Sequence, residues 1–152
     1  MISMGDDGYN HTVAPSLEQK VRVVPGQGQI EKRYQRGREL GLGAFSNVFL
    51  GTHRASKKEY AIKKIDREKM MWGDSRDALE DEVNHLIQVR EGPNIVQLYE
   101  VYEEKSHCYL VMELMYGGEL FDRILERKNF SEKAARDCIR CVLTGLDYLH
   151  EK

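Results

Sequence analysis

Residues 41–48 read Gly41-Leu-Gly43-Ala-Phe-Ser46-Asn-Val48, and the next apolar run opens as Tyr60-Ala-Ile-Lys63. Glycine inside an extended segment costs stability, because it gives up more conformational freedom on folding than any other residue. Two glycines at alternate positions therefore suggest that something must approach the backbone closely, and a phosphate chain is a natural visitor. An ordinary glycine-rich hairpin is the alternative. Two phosphate-binding frameworks fail on the neighbouring residues. A dinucleotide-binding unit needs a helix straight after the glycines, whereas Val48-Phe-Leu50 opens a second strand, and there is no Gly-Lys-Ser or Gly-Lys-Thr for a P-loop.

Lys63 narrows the reading. Strand alternation over residues 60–65 puts Ala61, Lys63 and Ile65 on one face, so a lysine shares its face with two apolar side chains and needs an anionic partner. In the next helical pattern Glu82 lies three residues after Leu79 and four before Leu86, at the edge of the apolar stripe. Each charge alone reads as a solvated side chain. Together they form a candidate ion pair.

Toward the amino terminus, residues 1–33 hold all but one of the prolines, with several Gly and Gln, and read as a mobile tail. The brief run Val21, Val23 and Val24 is a candidate edge strand. From Tyr34 the pattern is β: Leu40 and Leu42, then Val48-Phe-Leu50, a polar turn at 55–58, and 60–65. A helix comes next at Leu79, Val83 and Leu86, with Asp74 and Ser75 placed to cap it. Two more strands are expected at Ile95–Tyr102 and Cys108–Leu114, separated by the charged turn 103–106. After Gly117-Gly118 the chain turns helical. Leu120, Ile124 and Leu125 mark a short helix, and Ser131 caps a longer one carrying Ala135, Ile139, Val142, Leu146 and Leu149.

The 152 residues are 41% hydrophobic and 32% charged, enough for one ordinary core. With 23 Lys plus Arg against 25 Asp plus Glu, the net charge of −2 gives no long-range field for nucleic acid or an anionic membrane, so neither is expected as a partner. No run approaches a membrane span, and the start lacks a signal-peptide pattern. Tyr9 stands where myristoylation after Met4 would want Ser or Thr. The expectation is an intracellular, cytoplasmic chain, the nucleus being compatible with it. Cys138-Ile-Arg-Cys141 spells C-x-x-C, but in the middle of a helical pattern with no second pair, and the histidines show no ligand spacing. No metal site is expected from the protein's own side chains.

The stretches Gly41-x-Gly43-x-Phe45-Ser46-x-Val48, Tyr60-Ala-Ile-Lys63 and Glu82 resemble, in order and spacing, the amino-terminal lobe of a eukaryotic protein kinase. Tyr109-Leu-Val-Met-Glu113 resembles the strand leading into the kinase hinge. Gly117-Gly-Glu-Leu-Phe-Asp-Arg-Ile124, with Phe130-Ser-Glu and Tyr148-Leu-His150, is similar to the calcium/calmodulin-dependent group of Ser/Thr kinases. The resemblance runs from about Tyr34 to Lys152. It implies an α+β fold: a five-stranded antiparallel sheet plus one helix over 34–115 with the hinge, then the first two helices of a helical lobe over 116–152.

By that resemblance, the backbone of 41–48, including Gly41, Gly43 and Ser46, covers the phosphates of ATP, and Leu40, Val48 and Ala61 sandwich the adenine. Lys63 contacts the α- and β-phosphates and is positioned by Glu82. Met112 is the gatekeeper, the backbone of Glu113 and Met115 meets the adenine edge, and Glu119 meets the ribose. Glu119 in this group also meets basic side chains of a protein substrate, so an Arg-containing target is implied; a helix-capping role is the alternative. Ser46 replaces the family's third glycine, and Gly92 stands where many members have His. The catalytic aspartate, the asparagine and the Asp-Phe-Gly aspartate lie after the long helix in the family, and none precedes Lys152. Mg2+ is therefore expected to be held only through the nucleotide.

The expected function is ATP-dependent phosphorylation of protein Ser/Thr. The rival is a half-kinase that binds nucleotide or a partner and transfers nothing. The apolar stripe from Ala135 to Leu149 is expected to be uncovered, inviting association with a chaperone or with the missing remainder of the helical lobe.

Overall fold

The computed structural model describes residues 21–70, 75–126 and 131–152, with backbone alone for Met70, 75–78, Glu80 and Glu126. Residues 1–20 of the expected tail, the Asp74 and Ser75 side chains of the expected cap, and Phe130 lie outside what is described. The elements are β1 (Arg22–Pro25), α1 (Gln29–Arg33), β2 (Tyr34–Leu42), β3 (Ser46–His53), β4 (Glu59–Asp66), α2 (Arg67–Met70), α3 (Ser75–Val89), β5 (Leu98–Glu103), β6 (His107–Met112), α4 (Leu120–Glu126) and α5 (Glu132–His150). Two compact units result, one holding 21–90 with 96–114 and the other 91–95 with 115–152.

The first unit is a sheet in the order β1-β5-β6-β4-β3-β2. Its five strands β2 to β6 pair antiparallel as the sequence implies, and β1 adds a sixth strand parallel to β5. The candidate edge strand at 21–24 is thus present, but the tail reading fails from Arg22 onward. Residues 22–25 are strand, 29–33 are helix, and Ile30 is only 4% exposed inside the core. A parallel partner distant in sequence leaves no local signature, so an isolated Ile30 gives no hint that it will be covered.

The strand period sorts the side chains onto two faces. Directly opposed residues share a face, and Ala61, Lys63 and Ile65 of β4 stand opposite Met112, Leu110 and Cys108 of β6. On that face Ile65, Leu98, Val101, Cys108 and Leu110 pack with Leu79, Val83, Leu86 and Ile87 of α3. The opposite face gathers Ile30, Tyr34, Phe49, Ile62, Tyr102, Tyr109 and Val111. Fully burying Ile62, Leu110 and Val111 contributes ~1.5–3 kcal/mol each. Gly51 is required beside Ile62: a Cβ there would fall 2.1 Å from Ile62 Cδ1.

Boundaries shift from the sequence reading at two strands. β5 begins at Leu98 rather than Ile95, and β6 ends at Met112 rather than Leu114. The short helix α2 is an addition; Asp66 Oδ1 accepts from the backbone N–H of Glu68 at 3.0 Å and Lys69 at 3.2 Å, capping it, and these bonds hold the carboxyl below its ordinary pKa.

In the second unit Ser131 caps α5 as expected, its hydroxyl accepting from Ala134 N–H at 3.2 Å. Cys138 and Gly145 form the buried side of the helix, with Cys141 and Tyr148 half-buried. A Cβ on Gly145 would stand 3.5 Å from the Pro93 carbonyl, and one on Gly92 would collide with the Tyr148 ring at 2.4 Å. The C-x-x-C pair therefore sits on a packing surface, and burial pushes the Cys138 thiol pKa up. Of the expected stripe, Ile139, Val142, Leu146 and Leu149 are exposed, joined by Leu143, and Phe121, Ile124 and Leu125 on α4 are exposed too.

Candidate functional site

The β2–β3 hairpin opens the site. Gly43 N–H donates to Ser46 O at 2.7 Å, closing the turn that residues 43–46 make. On β2, Glu39 faces Phe49 and Gly41 faces Val48, so Leu40 is an extra residue, a bulge that breaks the alternation just before the glycines. A Cβ on Gly41 would meet no heavy atom within 4 Å, whereas one on Gly43 would press on Ser46 Oγ at 3.2 Å and Ser46 O at 3.3 Å. The backbone beside Gly41 is therefore open to an incoming group, while Ser46 confines Gly43. Phe45 O accepts from Asp66 N–H at 3.1 Å, tying the turn to the end of β4.

Beneath the hairpin, Val48 stands opposite Lys63, and Ala61 opposite both Leu50 and Met112. Val48, Ala61, Lys63 and Met112 are all half-buried on the α3 side of the sheet. Lys63 Nζ donates to Glu82 Oε1 at 2.5 Å, with the lysine side chain 26% and the glutamate 38% exposed. The structure thus forms the ion pair that the two periodicities suggest. A pair this open to water is worth under ~1 kcal/mol to folding. Its consequence is geometric: it fixes the ammonium beside an apolar surface, where a phosphate can compete for its remaining donors.

Glu113 comes directly after β6. Its N–H donates to Gln97 O at 2.9 Å, so the backbone group it can offer a base is its carbonyl. Met115 and Glu119 belong to the second unit. Met115 is half-buried; Glu119 is exposed just before α4, and its carbonyl accepts from Arg123 N–H at 3.1 Å, the position of a helix start. Among the described residues no group of three or more His, Cys, Asp or Glu is arranged to hold a metal ion, and no helix is long and apolar enough to cross a membrane.

One constellation escaped the sequence reading. Glu100, 8% exposed, accepts from Tyr34 Oη at 2.9 Å and Tyr102 Oη at 2.8 Å through Oε2, and its Oε1 lies 3.0 Å from Arg33 Nη2. Burial pushes both phenols well above their ordinary pKa, and the hydrogen bonds and charge of Glu100 push them further. Alternation would put Glu100 on the face of Leu98. The structure places it opposite, because Leu98 faces Met112 while Glu100 faces Val111, leaving Tyr99 as an extra residue. A charged residue inside the run Leu98-Tyr-Glu-Val-Tyr-Glu103 was the available signal.

Residues 34–152 match the family described as the protein kinase domain. Calcium/calmodulin-dependent protein kinase type 1 of Macrobrachium nipponense is 43% identical over 123 residues, 81% of this chain and 35% of that protein. A probable myosin light chain kinase of Dictyostelium discoideum is 44% identical over 117 residues, 77% of this chain and 36% of its own. Serine/threonine-protein kinase H1 of Bos taurus is 38% identical over 153 residues, reaching 97% of this chain and 35% of its own. The chain spans about a third of the length of the curated relatives it matches.

Proposed function

This chain belongs to the protein kinase family, and from that premise we propose that it is the ATP-binding portion of a serine/threonine kinase that moves the γ-phosphate of ATP to Ser or Thr of protein substrates. The observation that carries the reading is Lys63 held by Glu82 on the same face as half-buried Val48, Ala61 and Met112, beside a glycine whose outer side is open. An apolar surface next to a fixed ammonium suits a molecule that is flat and apolar at one end and anionic at the other.

The residues fit ATP through a division of labour. Leu40, Val48 and Ala61 take the adenine faces, Met112 bounds the depth of the pocket, and the Glu113 carbonyl accepts from the base edge. Gly41 lets the hairpin backbone approach the phosphates, Gly43 closes the turn beside it, and Lys63 orients the α- and β-phosphates. Mg2+ supplies charge neutralisation between the phosphates when it accompanies the nucleotide; none of the site residues is assigned to it. Met115 and Glu119 are proposed for the base edge and for the ribose or an Arg-containing substrate. The names of the relatives, which include a calcium/calmodulin-dependent kinase and myosin light chain kinases, support a protein as the substrate.

A second reading, a nucleotide-binding or interaction module without transfer, rests on the exposed apolar side chains of α4 and α5. Two measurements on the 152-residue chain separate the readings. Titration with a fluorescent ATP analogue should show saturable binding that Ala61→Phe abolishes by overfilling the pocket; equal affinity in that variant would place the pocket elsewhere. Radiolabelled transfer to an Arg-containing Ser peptide should be absent from these 152 residues alone. It should appear when they are joined to a kinase carboxy-terminal lobe, and be lost again in Lys63→Met. A joined protein that binds nucleotide yet transfers nothing would favour the second reading.

A further inference from the structure

Ser46 replaces the third glycine of the family's loop, so a side chain stands where the loop pattern has none. Its place follows from the strand register. Directly opposed residues share a face, and Ser46 lies opposite Ile65, Val48 opposite Lys63 and Leu50 opposite Ala61. The Ser46 side chain is therefore on the same face as the Lys63 ammonium, two residues further along β3 toward the hairpin tip.

Hydrogen bonds on both sides hold that position. Gly43 N–H donates to Ser46 O at 2.7 Å, and Asp66 N–H donates to Phe45 O at 3.1 Å. Within the turn the hydroxyl rests against the bare α-carbon of Gly43, where an added Cβ would stand 3.2 Å from Ser46 Oγ. Ser46 is half-buried, whereas Gly41, Gly43 and Phe45 around it are exposed. The hydroxyl thus sits on an anchored backbone at the border of an open surface.

The fold makes no use of this hydroxyl. Ser56 and Ser106 each share a hydrogen bond with a histidine, and Ser131 caps α5, but Ser46 Oγ takes no hydrogen-bond partner among the described residues. The adjoining carboxylates are turned away from it. Asp66, next to Ile65, and Glu39, opposite Phe49, alternate onto the other face. There Asp66 accepts from the Glu68 and Lys69 N–H groups and Glu39 from Asn47, so neither would repel an anion that approaches Ser46.

The groups on this face run in the order of a nucleotide's parts. Ala61 and Met112 are apolar at the inner end, Lys63 comes next, and Ser46 is outermost. Diagonal positions such as Ser46 and Lys63 lie roughly 7–8 Å apart, a span that a chain of phosphates bridges. We propose that the Ser46 hydroxyl donates a hydrogen bond to the γ-phosphate of the bound nucleotide, which makes Ser46 the residue by which this chain tells ATP from ADP and AMP. A hydroxyl has one hydrogen to donate and phosphate oxygens are strong acceptors, so the pair is complementary. The inference rests on the ATP reading and adds to it a side chain that the glycine pattern lacks.

The test measures the affinities of fluorescent analogues of ATP, ADP and AMP, with Mg2+ present, on the 152-residue chain and on Ser46→Ala and Ser46→Gly. Losing one hydrogen bond to a charged group at a half-exposed position should weaken ATP by about tenfold in both variants and leave ADP and AMP within about twofold. Unchanged ATP affinity in Ser46→Ala overturns the proposal. Equal weakening of ATP and AMP overturns it too, since the substitution then acts through the shape of the hairpin. So does full ATP affinity in Ser46→Gly, which would make the side chain an obstacle rather than a donor. ADP weakened as strongly as ATP would put the contact on an inner phosphate and overturn the assignment to the outermost one. A wild-type chain that binds none of the three analogues sinks the ATP reading itself, and this inference with it.

Discussion

Glu100→Ala is expected to be among the most damaging single substitutions in the sheet. The carboxylate is 8% exposed and serves two phenol hydroxyls and one guanidinium. Alanine would leave the Tyr34 and Tyr102 hydroxyls without that acceptor in places that water reaches poorly, at ~1–3 kcal/mol each. The Arg33 contact adds little, because its side chain is 34% exposed and can turn to solvent. The sum is ~2–6 kcal/mol. It corresponds to a fall in Tm of roughly 5–20 °C for a chain of this size. Glu100→Gln keeps the shape and one carbonyl acceptor, so it should cost roughly half as much. Urea unfolding monitored by near-ultraviolet circular dichroism would give these values, with Tyr34→Phe and Tyr102→Phe completing a double-mutant cycle. Each phenol should lose ~1 kcal/mol alone and much less once Glu100 is alanine. A Glu100→Ala loss below ~1 kcal/mol, or additive tyrosine effects, would refute the idea that the carboxylate is the hub.

Lys63→Met and Glu82→Gln should each weaken nucleotide-analogue binding, and the double variant should be little worse than either single, since the two act as one group; additive losses would show that they act separately. Ser131→Ala should cost ~1 kcal/mol by removing the acceptor for Ala134 N–H, seen as a lower helical signal at intermediate urea, and an unchanged transition would mean the cap is dispensable. Alkaline stability gives a third check. Tyr34, Tyr102 and Tyr109 have folded pKa values raised above the ordinary value of 10.0, mainly by burial, Tyr109 to about 12. The unfolded chain therefore releases these protons first. Stability is fully present below about pH 10 and falls as pH rises from there through the folded values, by up to ~1.4 kcal/mol per pH unit per tyrosine. Urea midpoints that stay level from pH 9 to 12 would contradict this.

Local period made part of the protein legible from its residues. Lys63 and Glu82 could be paired on paper because a strand repeats every two residues and a helix every 3.6, so each charge could be assigned to a face without knowing the partner. Ser131 announced its helix because a cap acts within one turn. Glycines 41 and 43 could be placed at the turn between two strands for the same local reason. Tertiary structure decided what depended on residues far away in the chain. Ile30 is buried only because β1 finds β5, a parallel pairing across more than sixty residues that no local pattern encodes. Gly51 is needed only because Ile62 arrives from the next strand. Glu100 faces Tyr34 rather than α3 only because Tyr99 is bulged, and a bulge reverses the alternation on which strand reading depends. Sequence determines which faces exist wherever the repeat is unbroken; where an extra residue breaks it, the partner strand decides which face a side chain joins.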